Sequence, residues 1–112
     1  MQKSIILLFD ASGSMADNNK IENAKIAAKN ALKGLDDLTE VALIVFYDCG
    51  QIVVEEPFTT EHDKISAKID TLQPTGSTPL ADAIAFAEDY KKNAKSDNRV
   101  VVMFTDGIET CK

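Results

Sequence analysis

Ser4-Ile5-Ile6-Leu7-Leu8-Phe9-Asp10-Ala11-Ser12-Gly13-Ser14-Met15 is the stretch on which the reading of this chain turns. Its apolar half, Ile5 to Phe9, shows no polar alternation, so both faces of the strand must be covered. Its polar half carries an oxygen at every second position: Asp10, Ser12 and Ser14. A buried strand that opens into three alternating oxygens makes a cup for a hard cation. Gly13 lets the backbone turn tightly between the last two.

The remaining elements supply a platform for this cup. A helical pattern follows the polar loop Ala16–Asn19, with Ile21, Ala24, Ala28, Ala31 and Leu35 on one stripe and Gly34 at its carboxyl end. Glu40 to Tyr47 reads as a second buried strand. Gln51 to Glu55 reads as a third, joined to it through Asp48-Cys49-Gly50 as a hairpin and ended by Pro57. A second helix, capped by Thr60, buries Ile65, Ile69 and Leu72. Gln73 to Pro79 is a further loop, with Thr78 placed to cap a third helix that buries Leu80, Ala83, Ile84, Ala87 and Tyr90. Arg99 to Thr105 reads as a fourth, fully buried strand ending in Asp106-Gly107.

Strands alternating with helices predict an α/β fold, a doubly wound, mostly parallel sheet with helices on both faces and one antiparallel edge strand. In such sheets ligands bind beyond the carboxyl ends of the strands. Asp10 and Asp106 both stand at carboxyl ends, so topology alone brings them together. With Ser12, Ser14 and Thr78 they form a set of two carboxylates and three hydroxyls. All-oxygen donors select Mg²⁺, Mn²⁺ or Ca²⁺ over zinc or copper.

Composition narrows the partners. The 112 residues suit a single domain, 1–112, with 45% apolar and 27% charged residues. A net charge of −6 argues against nucleic acid, which needs a basic face. No apolar run reaches the roughly 20 residues of a membrane span. Ile5–Phe9 is too short for a signal-peptide core and no small-residue cleavage site follows it, so a cytoplasmic location is expected, or an extracytoplasmic one if the chain is excised from a larger protein. The two cysteines, Cys49 and Cys111, favour free thiols over a bridge. A disulfide stays open, because both follow strands that could end on the same edge of the sheet.

Asp10-Ala11-Ser12-Gly13-Ser14-Met15, Thr78 within Gly76-Ser77-Thr78-Pro79-Leu80, and Phe104-Thr105-Asp106-Gly107 together resemble the metal-ion-dependent adhesion site of von Willebrand factor type A domains. The pattern D-x-S-x-S alone is weak; three segments in order are far more specific. The resemblance implies that Ser12 and Ser14 bind the metal directly. It implies that Asp10, Thr78 and Asp106 do so directly or through water, and that a protein partner offers a Glu or Asp carboxylate to the remaining position. Bacterial intracellular members of the family often sit beside AAA+ ATPases, and others are surface adhesion modules.

The chain ends at Lys112, soon after Asp106, whereas the family continues with further elements. The expectation is a domain incomplete at its carboxyl end, with the fourth strand open to self-association. Two alternatives stand beside the binding module. A strand-end aspartate with Mg²⁺ also opens phosphatases of the haloacid dehalogenase type. Those need a second carboxylate two residues on, where this chain has Ser12, so no enzyme is expected. The other alternative is a scaffold whose metal site is vestigial. Ser12, Ser14 and Asp106-Gly107 can also be plain turn residues. Asp48 reads as a turn residue, Glu109 and His62 as surface residues, and Asp36-Asp37 and Glu55-Glu56 as solvated charge.

Overall fold

The computed structural model describes residues 3–105 and 109–111. Four strands form one sheet: β1 (Ser4–Asp10), β2 (Glu40–Asp48), β3 (Gln51–Thr59) and β4 (Arg99–Phe104), in the order β3-β2-β1-β4. β1 lies parallel to β2, from Ser4↔Glu40 to Asp10↔Phe46, and parallel to β4, from Ser4↔Arg99 to Phe9↔Phe104. β3 runs antiparallel to β2 at the far edge. Three α-helices complete the layers: α1 (Lys20–Lys33), α2 (His62–Asp70) and α3 (Leu80–Tyr90).

The uniform apolarity of β1 is explained by its two covers. Ile5, Leu7 and Phe9, with Val41, Leu43 and Val45, pack against Ile21, Ala28 and Leu32 of α1 and Ile65 and Ile69 of α2. Ile6 and Leu8, with Ala42, Ile44 and Phe46, pack against Ala83 and Ala87 of α3 on the opposite face. Helices therefore cover both faces, and successive residues of each central strand enter different cores. Small residues on α3 bring its backbone close to the sheet.

Several local expectations are corrected. β4 is an edge strand, with Val100 37% and Met103 38% exposed, and is not fully buried. An apolar run reports the tendency to be covered; the cover itself depends on neighbours, and β4 has β1 on one side only among the described residues. Leu32 takes the buried position expected of Ala31, and Lys25 is also buried, its ammonium reaching the Asp70 carbonyl at 3.4 Å. Ile84 lies on the exposed side of α3.

β3 continues through Pro57 to Thr59. A bulge between the pairs Val41↔Thr59 and Leu43↔Glu56 absorbs the proline, whose missing N–H is harmless on an edge. Thr60 is not the cap of α2: Glu61 holds that position, and the Thr59 hydroxyl accepts from its N–H at 3.0 Å. His62 is half-buried, its Nε2 2.7 Å from the Thr39 carbonyl.

Both tyrosines sit where ionisation is opposed. Burial pushes the Tyr47 phenol far above its usual range, and its 2.6 Å hydrogen bond to the Glu55 carboxylate adds to this. Burial also raises Tyr90, which stacks on Phe58 with ring centroids 5.4 Å apart. A folded-state pKa above the unfolded value stabilises the fold below the ordinary phenol range, and that stability fades as pH rises through the folded value. Spectroscopic titration is expected to show little tyrosinate in the native protein at about pH 10, where free phenols are half-ionised, and ordinary ionisation in urea. Equal titration in both states would count against this packing.

Candidate metal centre at the sheet rim

The rim is built by three backbone ties at the carboxyl end of β1. Ala11 N–H donates to the Phe46 carbonyl at 3.0 Å, Thr75 N–H to the Ala11 carbonyl at 2.8 Å, and Gly13 N–H to the Gly76 carbonyl at 2.8 Å. The first fixes the end of β1 to β2; the other two draw the Gln73–Pro79 loop over the end of the sheet. Two glycines allow the approach. A side chain on Gly13 would meet the Gly76 oxygen at 3.0 Å. Gly76 has φ +73°, and a Cβ there would fall 2.5 Å from the Asp48 side chain.

Within this frame the Ser12 hydroxyl is a hub. It donates to Asp10 Oδ1 at 2.5 Å, lies 2.8 Å from Thr78 Oγ1, and comes within 3.5 Å of Ser14 Oγ. Asp10 Oδ1 also accepts the Ser12 N–H at 2.8 Å, and Asp10 Oδ2 accepts the Thr105 hydroxyl at 2.6 Å. Asp10, Ser12 and Thr78 are essentially inaccessible to solvent. The structure thus gathers Asp10, Ser12, Ser14 and Thr78 from two distant segments. Asp106, the fifth expected residue, lies outside the described residues.

Thr78 does not cap α3. Pro79 holds the cap position without a side-chain bond, while the Thr78 hydroxyl turns to Ser12. Glu109 serves the helix instead: its Oε1 accepts the Ala81 N–H at 2.7 Å, and that bond holds its carboxyl below the usual range. Asp48 also exceeds its expected role as a turn residue. Its Oδ1 accepts the N–H groups of Ser77 at 2.9 Å and Cys49 at 2.8 Å, which lower its pKa.

Sequence reasoning passed over Thr105 and Thr110. Thr105 follows the residue paired with Phe9, so strand register points to it. Thr110 contacts Thr78 only through tertiary folding. The favoured expectation of two free thiols is also overturned: Cys49 and Cys111 form a disulfide. Residues remote in sequence become adjacent at the rim. Closing a sequence separation of 62 is worth about 4 kcal/mol in the chain-entropy estimate. Asp48 lies close to both sulfurs, but bridged sulfurs are not thiolate ligands, so that cluster is no metal site.

The donor chemistry fits a hard divalent ion, since the gathered side chains offer one carboxylate and three hydroxyls, without nitrogen or sulfur. A mostly parallel α/β sheet, covered by helices on both faces and carrying clustered oxygen-bearing side chains at the carboxyl end of its inner strand, defines the class of domain. The chain belongs to the von Willebrand factor type A domain family, whose description matches residues 5–109. It is 30% identical to the uncharacterized protein YwmD of Bacillus subtilis, covering 96% of this chain and 56% of that one. It is also 30% identical to the magnesium-chelatase 67 kDa subunit of Chlorobaculum tepidum, covering 91% of this chain and 17% of that subunit. The chain therefore spans little more than half of the Bacillus relative.

Among solved structures, the vWF domain of the type V pili tip protein Mfa5 from Porphyromonas gingivalis superposes with a TM-score of 0.83 at 17% identity, covering 96% of this chain and 38% of that one. The pilus adhesin SpaC from Lactobacillus rhamnosus GG gives a TM-score of 0.81 at 21% identity, covering 97% and 15%. These likenesses establish the fold.

The two glycines with φ near +75° separate backbone conformation from crowding. Gly50 has φ +75° and nothing near its missing Cβ, so Gly50→Ala should lose about 1–2 kcal/mol. Gly76→Ala should lose clearly more in urea denaturation, because Asp48 and the Tyr47 carbonyl must also move. Equal losses would contradict the close loop approach.

Proposed function

We propose that the chain is a divalent-cation-dependent protein-binding module. The observation that carries this reading is the convergence of Asp10, Ser12, Ser14 and Thr78 on one hydroxyl hub. Ser12, Ser14 and Thr78 would hold Mg²⁺, or Mn²⁺ or Ca²⁺, with Asp10 and Asp106 supplying the charge and orienting the hydroxyls. When bound, the ion supplies an electrophilic position for a Glu or Asp carboxylate of a protein partner. The Ser12 amide and the Thr105 hydroxyl hold the Asp10 carboxylate in place, which supports this reading. The long-range field of a chain with net charge −6 does not draw an acidic partner inward, so recognition is local to the site.

A non-catalytic role is favoured. Ser12 occupies the position of a phosphatase's second carboxylate, and its hydroxyl is engaged by Asp10 and Thr78. No described helix is long and apolar enough to cross a membrane. The disulfide supports an oxidising compartment over the cytoplasm expected from the amino terminus. Similarity to pilus-tip and pilus adhesin domains supports the same setting. A subunit of an ATPase-associated complex is the alternative for a reducing compartment.

Calorimetric titration with Mg²⁺ or Mn²⁺ is expected to show saturable binding, lost in Asp10→Asn and weakened at least about tenfold in Thr78→Ala. No binding at millimolar metal would install the vestigial scaffold instead. Metal-dependent phosphomonoester hydrolysis that disappears in Asp10→Asn would install the enzyme.

Among the described residues β4 has a strand neighbour on one side only, and Val100 and Met103 are exposed, which supports a second mode of association, pairing with a strand of another chain. Light scattering is expected to show concentration-dependent self-association, reduced when Val100 or Met103 is replaced by lysine. A monomer at every concentration would remove this reading.

A further inference from the structure

Thr78 is the hub member whose position depends on segments far from it. On one side, the Ser77 N–H is held by Asp48, which also binds the Cys49 N–H. On the other, the Thr78 N–H donates to the Thr110 hydroxyl at 2.5 Å, and the Thr78 carbonyl accepts the N–H groups of Thr110 at 3.0 Å and Cys111 at 3.2 Å. The residues that grip the loop from the two sides, Asp48-Cys49 and Thr110-Cys111, are joined covalently by the Cys49–Cys111 bond. A closed ring, one disulfide and a set of hydrogen bonds, thus encloses the Ser77–Thr78 backbone.

The geometry points to the Cys49–Cys111 disulfide as a redox-sensitive clamp that positions Thr78 for the cation; this rests on the metal reading given above. Asp48 and Thr110 are the positioning residues through which it acts. Cys49 is exposed and Cys111 half-exposed, so a small dithiol can reach the bridge. Reduction breaks one S–S bond and leaves two thiols. The two electrons and two protons come from the dithiol, which becomes a disulfide. The carboxyl-terminal grip is then no longer tethered to the hairpin, and the Thr78 hydroxyl loses its fixed place beside Ser12. The inner strand is untouched, since Asp10 and Ser12 are held by β1 and its neighbours. Oxidising surroundings therefore set the site for binding and reducing surroundings weaken it.

The test uses Mn²⁺ alone as the probe, with free Mn²⁺ read by electron paramagnetic resonance. The oxidised chain is compared with dithiothreitol-reduced, alkylated protein and with the Cys49→Ser/Cys111→Ser double variant, each checked for folding by circular dichroism. The folded bridge-free forms should bind Mn²⁺ about tenfold more weakly, the low end of what loss of an outer-shell partner costs a metal site. Amide exchange at Ser77 and Thr78 should quicken while β1 stays protected. Thr110→Ala, which leaves the bridge intact, should weaken Mn²⁺ binding in the same direction, and Thr110→Ser should restore it. That pair decides the matter if the bridge-free forms unfold. Unchanged Mn²⁺ affinity in folded bridge-free protein, or in Thr110→Ala, overturns the clamp and leaves the metal reading standing. An oxidised wild-type chain that binds no Mn²⁺ overturns both.

Discussion

β1 is paired along its length with parallel neighbours on both sides, and both faces of it are covered by helices. Parallel pairing makes the carboxyl ends of β1, β2 and β4 coincide on one rim. The end of β1 must then change character at once. Phe9 is wholly buried and Asp10, the next residue, is a wholly buried carboxylate. Such a group is tolerable only if its oxygens are engaged, and both are: one by Ser12, the other by Thr105. The site is thus a consequence of how the inner strand is terminated. Solvation that water cannot provide there is provided by hydroxyls, and those hydroxyls are the ones suited to a hard cation.

The loop that brings Thr78 is held by different means. It has no regular structure from Gln73 to Pro79, so its position comes from its neighbours. Backbone ties to Ala11 and Gly13 fix it to the first segment, Asp48 fixes it to the hairpin, and Thr110 and Cys111 fix it to the end of the chain. The division is physically sensible. Asp10 and Ser12 stand on a rigid element, while Thr78 stands on a segment whose order is assembled from outside. Any control over the site acts most easily on the second part, where few contacts need to change.

Much of this was legible in residue order. Period and apolarity located all four strands and three helices, and the alternation of types called for a parallel sheet covered on both faces. Asp10, Ser12 and Ser14 stood out because their spacing is that of side chains beside a turn. Where expectation failed, the deciding quantity was non-local. Val100–Phe104 has the composition of an inner strand, but exposure is a property of neighbours. Thr60 and Thr78 both looked like caps. Thr59 and Glu61 occupy the turn before α2, and Ser12 claims the Thr78 hydroxyl.

By itself the sequence determined the local chemistry: which segments are strands or helices, where the inner strand stops, and that its end carries a run of alternating oxygen-bearing side chains. Those are set by adjacent residues, whose spacing is visible in one dimension. Only the tertiary structure decided that Ser12 is the centre of the cluster, that Thr105 and Thr110 belong to its surroundings, and that Cys49 meets Cys111. Each of these is a distance between residues remote in the chain. Such distances follow from strand order and loop closure, which the folded molecule settles as a whole.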